Sequence, residues 1–570
     1  MPPVDVPTPV APSDLLPRRL TRHAANRPDD LAYRFIGRTG RQPVEIAWGD
    51  LWSDAHATAA ALGGPGQHVG IACEDGRDFI VGLAACWIAG SVAVPFPTAL
   101  SRRSAPRTEA VLGAAAPGIV LTPPASSLDA WLAEVLATAS TAPVVRHAPA
   151  VAPDPDGAAA DAESLALIQF TSGSTGRPRG IGLTHGNIAS NCAAIAAAYD
   201  LSAATRGLSW LPLHHDMGLV GHILTPMWLG CRSTVIDPLR FLQRPLSWLR
   251  LVGPEGSTIT SAPNFAFQMC AKAAETEPLD GINLSSLATV VCGGEPVLAT
   301  TVTRFLAAVA DAGLSPAAFA PSYGLAEATL LVAGTRGPSG PSFVPVPLAT
   351  GADAVGGSPA PTVADLGPPV AGVSVRIVGE DGRTLPEGVV GEIEIAGPSV
   401  GRPVAADGSL AAAAPLATGD LGFLSAGRLR VAGRRKELII LRGQNVYPSD
   451  VEAAAGEADP AIAAGGVAAV GLDADGTQKL VVMVEIDRKR VLGPEELASL
   501  RKAVSEEVSR RVGHVPAEVL VLKFGTLPRT TSGKIRRGDA VARYVTGAMA
   551  GALVASTASR QTDLVDVPNR

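Results

Sequence analysis

Residues 171–180, with the sequence TSGSTGRPRG, have the composition of a phosphate-binding loop. The segment combines four hydroxyl side chains, two arginines and several glycines, and it contains no acidic residue. Glycines let backbone N–H groups approach an anion closely, while hydroxyl and guanidinium groups donate further hydrogen bonds. An apolar run, LALIQF, precedes the segment, and a polar turn and an alanine-rich helical pattern follow it. We therefore predict a strand-to-helix loop rather than a flexible polar linker.

This loop differs from the phosphate-binding loop of the nucleoside triphosphatases. That loop requires a Gly-Lys-Ser/Thr sequence leading into a helix. Here Gly176 is followed by Arg177 and Pro178. The functions of kinases and motor ATPases are therefore not predicted.

The elements around the loop are predicted to form α/β layers. Between about residues 15 and 430, helical patterns alternate with short β-rich runs such as HVGIAC, SVAVPF, STVIDP and ATVVCG, which favours parallel strands. Residues 337–369 are rich in Pro, Gly, Ala and Val and are predicted to be a long surface connection or insertion. Residues 373–397 and 427–443 alternate in polarity around glycine turns, which predicts antiparallel hairpins.

After residue 433 the pattern becomes that of a compact α+β unit, with paired strands and a capped amphipathic helix at residues 494–513. We predict an α/β multidomain protein, in which a large N-terminal domain has two αβ-layered subdomains and a β-rich subdomain. A small mobile α+β C-terminal domain follows. The predicted boundaries are a flexible N-terminus at 1–14, the large domain at 15–432, a hinge at 433–436, the small domain at 437–545 and a flexible tail at 546–570.

Composition limits the classes of function. The 570 residues carry a net charge of −6, which argues against a nucleic-acid binder. The six cysteines form no C-x-x-C pair, so we expect reduced, buried thiols in a cytoplasmic protein. No signal peptide is predicted, because the N-terminus is proline-rich with an early aspartate. The uncharged residues 79–101 contain Gly and Pro, which favours a buried helix and strand over a membrane span.

Six further segments, taken together, carry a family resemblance. They are WLPLHHDMGL (210–219), GGEP (293–296), PSYGLAEATL (321–330), TGDLG (418–422), GRRKELIILRGQNVYPSDVE (433–452) and PRTTSGKIRR (528–537). Their order and spacing resemble the adenylate-forming superfamily of acyl-CoA synthetases, adenylation domains and luciferases. Among these enzymes the chain most resembles the fatty acyl-AMP ligases, over about residues 15–540. The resemblance implies activation of a fatty or related carboxylic acid by ATP and Mg²⁺. A separate phosphopantetheinylated acyl carrier protein, or a polyketide or peptide synthase, is then the expected acceptor.

The resemblance assigns a nucleotide site. Carboxylate attack on a phosphate brings two anions together, so cations and hydrogen-bond donors are needed there. The phosphate loop is expected to hold the β- and γ-phosphates, Asp420 the ribose hydroxyls, and Arg434 the ribose or phosphate. The predicted nucleotide-binding residues are Thr171, Ser172, Gly173, Ser174, Thr175, Gly176, Arg179, Gly293, Gly294, Glu295, Ser322, Tyr323, Gly324, Asp420 and Arg434.

Three of the assigned side chains also have plain structural interpretations. Glu327 lies in an apolar run, where it is predicted to be a Mg²⁺ ligand, with a structural ion pair as the alternative. The ring of Tyr323 suits stacking on adenine but also suits a packed core. Without the resemblance, Asp420 would be assigned to an ordinary turn.

The residue we expect to be catalytic is Lys534, in a Thr-Thr-Ser-Gly-Lys loop that can swing. Its ammonium could bridge the acyl carboxylate and the α-phosphate as charge develops, whereas the alternative is a solvated basic patch with Arg536 and Arg537. By resemblance, Lys436 is the hinge about which the small domain rotates. Rotation would withdraw Lys534 after adenylation and present another face for thiol transfer.

The acid is expected to bind beside His214 and His215, with His215 as a catalytic gate between the ATP and carboxylate sites. Asp216 occupies a position where amino-acid activators bind the substrate's ammonium, so amino-substituted acids stay open. Apolar residues of two segments could line an acyl tunnel or belong to the core. They are Met217, Leu219, Val220, Ile223, Phe265, Phe267 and Met269.

Two departures from the family are visible. Arg179 replaces the usual lysine of the phosphate loop, which keeps the charge and changes its geometry. The long gap between Glu327 and Gly367 resembles the insertion of fatty acyl-AMP ligases, which is thought to oppose the rotation needed for CoA transfer. The competing functions are an acyl-CoA synthetase, an enzyme for a β-amino or aryl acid, and a non-catalytic adenylate-binding relative.

Overall fold

The protein was analysed as a computed structural model. It describes residues 11–37, 42–73, 75–96, 105–123, 130–137, 139–153, 161–172, 178–347, 362–405, 408–441, 444–474, 477–530 and 533–556. The middle of the phosphate loop, Gly173 to Arg177, lies outside these residues.

An eight-stranded sheet forms the centre of the described large N-terminal part. Its six inner strands are parallel, and an antiparallel strand closes each edge. In spatial order the strands are Leu331–Gly334, Phe319–Gly324, Thr289–Cys292, Ile259–Ala262, Arg206–Ser209, Arg232–Ile236, Leu31–Ile36 and Val44–Ala47. Such runs form parallel strands because helices cover both faces of the sheet.

A second sheet of seven strands lies in the same part of the chain, with a parallel centre. Its strands are Arg402–Pro403, Pro178–Thr184, Leu165–Ser172, Val92–Pro95, His68–Ile71, Ile119–Thr122 and Thr141–Pro143. The two sheets confirm the predicted α/β layering. The segment tested as a membrane span contains the helix Gly76–Ile88 and the strand Val92–Pro95, as expected.

The prediction of a strand-to-helix loop at residues 171–180 is wrong. The strand Leu165–Ser172 pairs antiparallel with a second strand, Pro178–Thr184, and Thr171 lies opposite Arg179. The phosphate loop therefore connects a hairpin, and the helix His185–Tyr199 follows the second strand. This strand was not predicted because Gly180 and Gly182 lower its β propensity. Neighbouring side chains leave little room for a Cβ atom at either position.

Helices cover the two sheets, and several begin with side-chain caps. Asp75 accepts a hydrogen bond from the Arg77 N–H (2.8 Å) at the start of one helix, and Thr184 and Asn187 form a reciprocal capping box at another. The helices of this part are Leu16–Asn26, Trp48–Ala59, Gly76–Ile88, Ala105–Ala115, Ala130–Val135, His185–Tyr199, Asp216–Leu219, Thr225–Leu229, Pro238–Gln243, Leu246–Leu249, Val252–Glu255, Asn264–Ala274 and Ala299–Ala308. A π-helical turn, Val220–Leu224, joins two of them.

The predicted antiparallel hairpins belong to a four-stranded sheet, and this confirms the β-rich region. Its strands are Ser374–Val378, Gly391–Ala396, Leu416–Ser425 and Arg428–Arg434. The predicted insertion contributes two short paired strands, Phe343–Pro345 and Thr362–Ala364, so it is not purely irregular. Residues 348–361 lie outside the described residues.

The C-terminal part has hydrophobic clusters of its own, built from residues 439–555. Its sheet has strands Ile462–Ala474, Thr477–Ile486, Glu518–Leu522 and Leu553–Ser556, a small hairpin comprises Ile439–Leu441 and Gln444–Val446, and its helices are Pro448–Glu457, Pro494–Val512 and Arg537–Val545. These separate clusters support the predicted domain boundaries, which stay predictions.

Both predicted flexible ends need correction within the described residues. The strand Leu553–Ser556 pairs with Glu518–Leu522, so the predicted tail from residue 546 carries an edge strand. At the other end, Pro12–Asp14 forms a 3₁₀ turn, and the Asp14 carbonyl accepts a hydrogen bond from the Trp228 indole (2.8 Å). Composition alone does not report such pairing, because Ala- and Ser-rich segments can pair through their backbones.

All six cysteines are buried thiols outside any disulfide, as predicted. Aromatic side chains fill the space beside the eight-stranded sheet, where the rings of Trp210 and Phe241 stack at 3.8 Å. Phe267 is fully buried among Trp248, Phe305 and Phe319, so it belongs to the core rather than to a tunnel. Among the described helices, none has the length and apolarity needed to cross a membrane.

The half-buried carboxyl of Asp450 in the C-terminal part predicts a pH-dependent stability. Burial, with a contribution from Glu452, raises the pKa of Asp450 from 3.8 to about 7. Between these two pH values the folded state binds more protons than the unfolded state, so this group makes folding less favourable as pH rises from about 4 to about 7. We expect Asp450→Asn to raise the melting temperature at pH 8 by about 2 °C or more.

The matched measurement is the same pair of proteins at pH 4.5, where Asp450 is largely protonated in the folded state. There the difference in melting temperature should shrink towards zero. A stabilisation of equal size at both pH values would contradict the assignment of the effect to this carboxyl.

Candidate active site

Three predicted nucleotide-binding side chains meet in one hydrogen-bonded group. The Tyr323 hydroxyl donates to Asp420 Oδ2 (2.7 Å), and Arg434 Nε donates to Asp420 Oδ1 (2.8 Å). Asp420 is 7% exposed. Burial and the nearby Asp420 raise the pKa of Tyr323 well above its ordinary value, so the phenol stays protonated and donates. The group presents one carboxylate held by two hydrogen bonds from the protein.

The sheets position this group. Asp420 and Arg434 are direct partners on neighbouring antiparallel strands of the four-stranded sheet. Tyr323 lies near the end of Phe319–Gly324, at the carboxyl edge of the eight-stranded sheet, where ligands commonly bind in open α/β sheets. Beside it, the Ser322 hydroxyl is hydrogen-bonded to the Tyr199 hydroxyl (2.6 Å). At Gly324 a Cβ atom would lie 1.9 Å from the Leu330 carbonyl oxygen, so only glycine fits.

The turn at Gly293 and Gly294 directly follows the strand Thr289–Cys292, and the predicted catalytic lysine lies against it. Gly294 has φ +76°, and a Cβ atom there would lie 3.0 Å from Lys534 Nζ and 3.1 Å from Met217 Cε. A Cβ atom at Gly293 would lie 2.7 Å from the Ser322 carbonyl oxygen. The ammonium of the C-terminal part therefore reaches the carboxyl edge of the central sheet.

Glu295, one of the predicted nucleotide-binding residues, contributes a carboxylate to the turn. Its Oε1 accepts a hydrogen bond from the Phe265 N–H (2.5 Å) at the start of the helix Asn264–Ala274. Burial raises the pKa of Glu295, while that N–H and the nearby Lys534 and Arg537 oppose the rise. This carboxylate therefore faces the cations that the C-terminal part brings to the site.

Glu327 lies in the 3₁₀ turn Ala326–Ala328, and burial raises the pKa of its carboxyl, with Asp216 adding to the rise. Arg434 and Arg179 lower it. Within the described residues, no group of three or more His, Cys, Asp or Glu side chains could hold a metal ion. Mg²⁺ is usually bound by one or two carboxylates together with substrate phosphates and water. Glu327, with Asp216 within electrostatic reach, fits that mode.

The histidine pair lies at the start of a short helix. His214 precedes His215, and their rings are 4.6 Å apart. His215 occupies the position before Asp216–Leu219, and Asp216 Oδ1 accepts from the Met217 N–H (2.7 Å). Leu219, Val220 and Ile223, which follow, are fully buried in the core. Among the residues predicted to line a tunnel, Met217 therefore lies beside Lys534 at Gly294. Leu219, Val220 and Ile223 belong to the core.

A cleft of about 1470 Å³ lies between the strand ends of the large part and the C-terminal part, and Tyr323, Asp420, Arg434, Glu327 and Lys534 are not among the residues that line it. Its apolar wall includes Leu211, Leu213, Val235, Ile236, Phe265 and Met269. The opposite side is formed by residues 460–464 and 487–490 and by Thr530 and Gly533. His214 lines the same cleft.

Only the two ends of the phosphate loop are described. Thr171 and Ser172 end one strand, and Arg179 lies opposite Thr171 on the next. Arg179 is close enough to Glu327 to lower the pKa of that carboxyl. Gly173, Ser174, Thr175 and Gly176 lie outside the described residues, so their predicted role stays a prediction.

The predicted hinge is connected to both parts of the chain. Arg434 and Arg435 form ion pairs with Asp420 and Glu392 of the four-stranded sheet. Lys436 is exposed in the 3₁₀ turn Arg435–Glu437. Its role as the hinge stays a prediction.

Sequence reasoning missed two arginines near Lys534. Arg537, interpreted as part of a basic patch, forms hydrogen-bonded ion pairs with Glu437 (2.5 Å) and Glu452 (2.6 Å). Arg529 forms an ion pair with the buried Glu485 (3.1 Å). The only available signal was that both lie within the segment PRTTSGKIRR that carries the lysine, because their partners lie 44 to 100 positions away in the chain.

Relatives of established name match nearly the whole chain. A long-chain-fatty-acid–AMP ligase of Mycobacterium tuberculosis, FadD23, is 32% identical over 93% of this chain and 96% of its own length. FadD26 from the same species is 33% identical over 93% of this chain and 97% of its own. A 4-hydroxyphenylalkanoate adenylyltransferase of that species is 32% identical over 92% of this chain and 91% of its own.

Solved structures agree with the sequence matches. A fatty acyl-adenylate ligase from work on the E. coli and L. pneumophila enzymes superposes with a TM-score of 0.80 at 28% identity, covering 94% of this chain and 98% of the other. The L. pneumophila enzyme with acyl adenylate and pyrophosphate superposes with a TM-score of 0.68 at 27% identity, covering 95% and 97%. The sequence model of the AMP-binding enzymes matches residues 20–403. The chain therefore belongs to the AMP-binding enzyme family, the adenylate-forming superfamily to which its motifs pointed.

Proposed function

We propose that this protein is a fatty acyl-AMP ligase, which activates a fatty or related carboxylic acid with ATP and then transfers the acyl group to a thiol. One observation carries the proposal: Lys534 Nζ lies against Gly294, beside the Tyr323–Asp420–Arg434 group. A cation delivered from the C-terminal part thus meets the predicted nucleotide site. The names of the relatives support an acyl substrate.

In the first step, a carboxylate oxygen of the acid attacks the α-phosphorus of ATP. The new acyl–oxygen–phosphorus linkage forms as the bond to the bridging oxygen breaks, and pyrophosphate leaves with that electron pair. Negative charge grows on the phosphate oxygens, and a preorganised ammonium stabilises it without solvent reorganisation. Lys534 supplies that charge, and Arg179 and Arg434 contribute further positive charge near Glu327.

ATP is oriented by the Asp420 group. Each carboxylate oxygen of Asp420 already accepts one hydrogen bond from the protein, and a carboxylate has about four acceptor positions. Two positions therefore stay available for the two ribose hydroxyls. Bound Mg²⁺ would neutralise phosphate charge, and Glu327, with Asp216 near it, would hold that ion.

The direct test is pyrophosphate exchange. Purified protein, ATP, Mg²⁺ and labelled pyrophosphate are incubated with a panel of saturated fatty acids, aryl-alkanoic acids and β-amino acids. We expect label to enter ATP with fatty or aryl-alkanoic acids, because the cleft wall is apolar. Absence of exchange with every acid would contradict the proposal and favour a non-catalytic adenylate-binding protein.

In the second step, a thiolate sulfur attacks the acyl carbonyl carbon and AMP leaves. We propose that the thiol belongs to the phosphopantetheine arm of a separate carrier protein. The support is the insertion: Val344, Val346 and Val363 belong to one hydrophobic cluster that also contains Phe423 of the four-stranded sheet and Tyr447 of the C-terminal part. This contact opposes rotation of the C-terminal part and thus transfer to free CoA.

The acceptor is tested by offering CoA or a phosphopantetheinylated carrier protein to the loaded enzyme. Acylated carrier protein, followed by intact-mass spectrometry, is the expected product. Acyl-CoA formed at a rate equal to or above that of the acyl-carrier would instead identify an acyl-CoA synthetase. Exchange restricted to β-amino acids would identify an amino-acid-type activator and give Asp216 a role in binding the ammonium.

A further inference from the structure

We propose that Arg529 is a positioning residue for Lys534, and that it acts by holding two glycines against the side chain of Phe265. The inference deepens the proposed function and rests on it, because it concerns how the adenylating lysine is delivered. The sequence left open whether Phe265 lines an acyl tunnel or belongs to the core. The surroundings of this side chain give it a further role.

The first observation is a cup of two glycines around Phe265. Gly465 and Gly533 both belong to the C-terminal part, and both have positive φ, at +63° and +87°. A Cβ atom at Gly533 would lie 2.6 Å from Phe265 Cζ, and one at Gly465 would lie 3.2 Å from Phe265 Cβ. At Gly533 the C-terminal part thus approaches the ring more closely than a side chain would allow, and Gly465 lies against the Cβ atom of the same residue.

The second observation is how the two glycines are held. Arg529 Nη1 donates to the Gly533 carbonyl oxygen (3.1 Å), and Nη2 donates to the Gly465 carbonyl oxygen (2.9 Å). The same Nη2 lies 3.1 Å from Glu485 Oε2, and Glu485 is 1% exposed. Glu485 Oε1 also accepts from the Leu527 N–H (2.7 Å). A planar guanidinium with several fixed donors makes these contacts together, which a lysine ammonium on a flexible stem does not.

The third observation is that the glycine cup around Phe265 is directly connected to the catalytic lysine. Gly533 directly precedes Lys534, whose Nζ lies against Gly294. The N–H of Phe265 is bonded to the carboxylate of Glu295, the residue after Gly294. The ring and the backbone of Phe265 therefore contact both the lysine loop and the turn that the lysine reaches. Displacement of the ring or of the cup would move Nζ relative to that turn.

Phe265 itself is fixed on the large part. It is 7% exposed, and its ring meets the edge of Trp210 at 6.0 Å. On the same helix, Gln268 accepts from the Gly465 N–H (2.9 Å), and Lys272 donates to the Ile462 carbonyl oxygen (2.7 Å). The helix Asn264–Ala274 is therefore a seat for the C-terminal part in this orientation.

The test separates the two half-reactions. Arg529→Lys keeps a positive charge beside Glu485 and removes the double donation to the glycines. We expect kcat for pyrophosphate exchange to fall about 10- to 100-fold, the scale of an ångström-sized misplacement of a reacting group, with KM for ATP within about twofold of wild type. Transfer from chemically prepared acyl-AMP to the thiol acceptor, which needs no lysine in the site, should keep its wild-type rate.

Phe265→Ala provides an independent variant, because it leaves the Glu485 pair intact. The same loss of kcat is expected, whereas an acyl-tunnel residue would raise KM for the acid and leave kcat unchanged. In the double variant the two losses should not multiply, since both remove one contact. Lys502→Gln is the matched control, with a side chain 76% exposed on a distant helix, and should behave as wild type.

Two results would overturn the proposal. One is wild-type kcat for exchange in Arg529→Lys and Phe265→Ala. The other is an equal loss in both half-reactions, which would indicate a general structural defect, and melting temperatures check for it. If wild-type protein gives no exchange with any acid, the proposed function fails and this inference falls with it. Exchange by the wild type together with unaffected variants removes the inference alone.

Discussion

Lys534→Ala should lower kcat for pyrophosphate exchange by about 100-fold or more, the scale observed when one preorganised donor to a developing charge is removed. The physical reason is the position of the ammonium, which lies against Gly294 in a site that also holds the Tyr323–Asp420–Arg434 group. KM for ATP should change little, because the other groups still bind the nucleotide. Initial rates of label incorporation at saturating acid measure both quantities.

The control for this variant is Lys523→Ala, which removes an exposed lysine of the same part of the chain. It should leave exchange unchanged. Transfer from prepared acyl-AMP to the thiol acceptor gives a second check, because Lys534→Ala should spare it. Exchange by Lys534→Ala near the wild-type rate would exclude the lysine from the first half-reaction.

The α/β layering could be predicted because a buried strand is recognisable from its own short apolar run of residues. Runs such as HVGIAC and ATVVCG are apolar and short, and both lie at the centre of a sheet, at His68–Ile71 and Thr289–Cys292. The strand Pro178–Thr184 was missed because its glycines leave room for neighbouring side chains and lower its β propensity. Packing by the surrounding chain, rather than the strand's own residues, gives it its structure.

The residues of the site could be predicted from the sequence, whereas the hydrogen bonds between them could not. Motif order identified Tyr323, Asp420 and Arg434 separately, but their hydrogen bonds join residues up to 97 positions apart. Phe265 shows the limit most clearly. Its apolar type fits a tunnel or a core equally well, and the glycines that cup it lie 200 and 268 residues further along the chain. Its role depends on how two parts of the chain meet, which local sequence does not encode.

Asp420→Ala should affect a different kinetic constant, raising KM for ATP about 100-fold. The carboxylate is buried and has two protein donors already in place, so it offers its remaining acceptor positions without reorganisation. Two charge-assisted hydrogen bonds to ribose hydroxyls, at about 1.5–3 kcal/mol each, correspond to a change of that size or larger. Substrate titrations of the exchange reaction with ATP as the varied component measure it.

Lys534→Ala is expected to change kcat, and Asp420→Ala is expected to change KM for ATP. This difference distinguishes a nucleotide-binding carboxylate from a merely structural one. Loss of Asp420 also leaves Arg434 and the Tyr323 hydroxyl without their partner, so melting temperature must be measured alongside. Asp381→Ala, at an exposed turn of the same antiparallel sheet, is the matched control and should leave KM unchanged. If Asp420→Ala binds ATP within twofold of wild type while Lys534→Ala loses kcat, the carboxylate serves only to hold Arg434 and Tyr323, and ribose must be held by other groups.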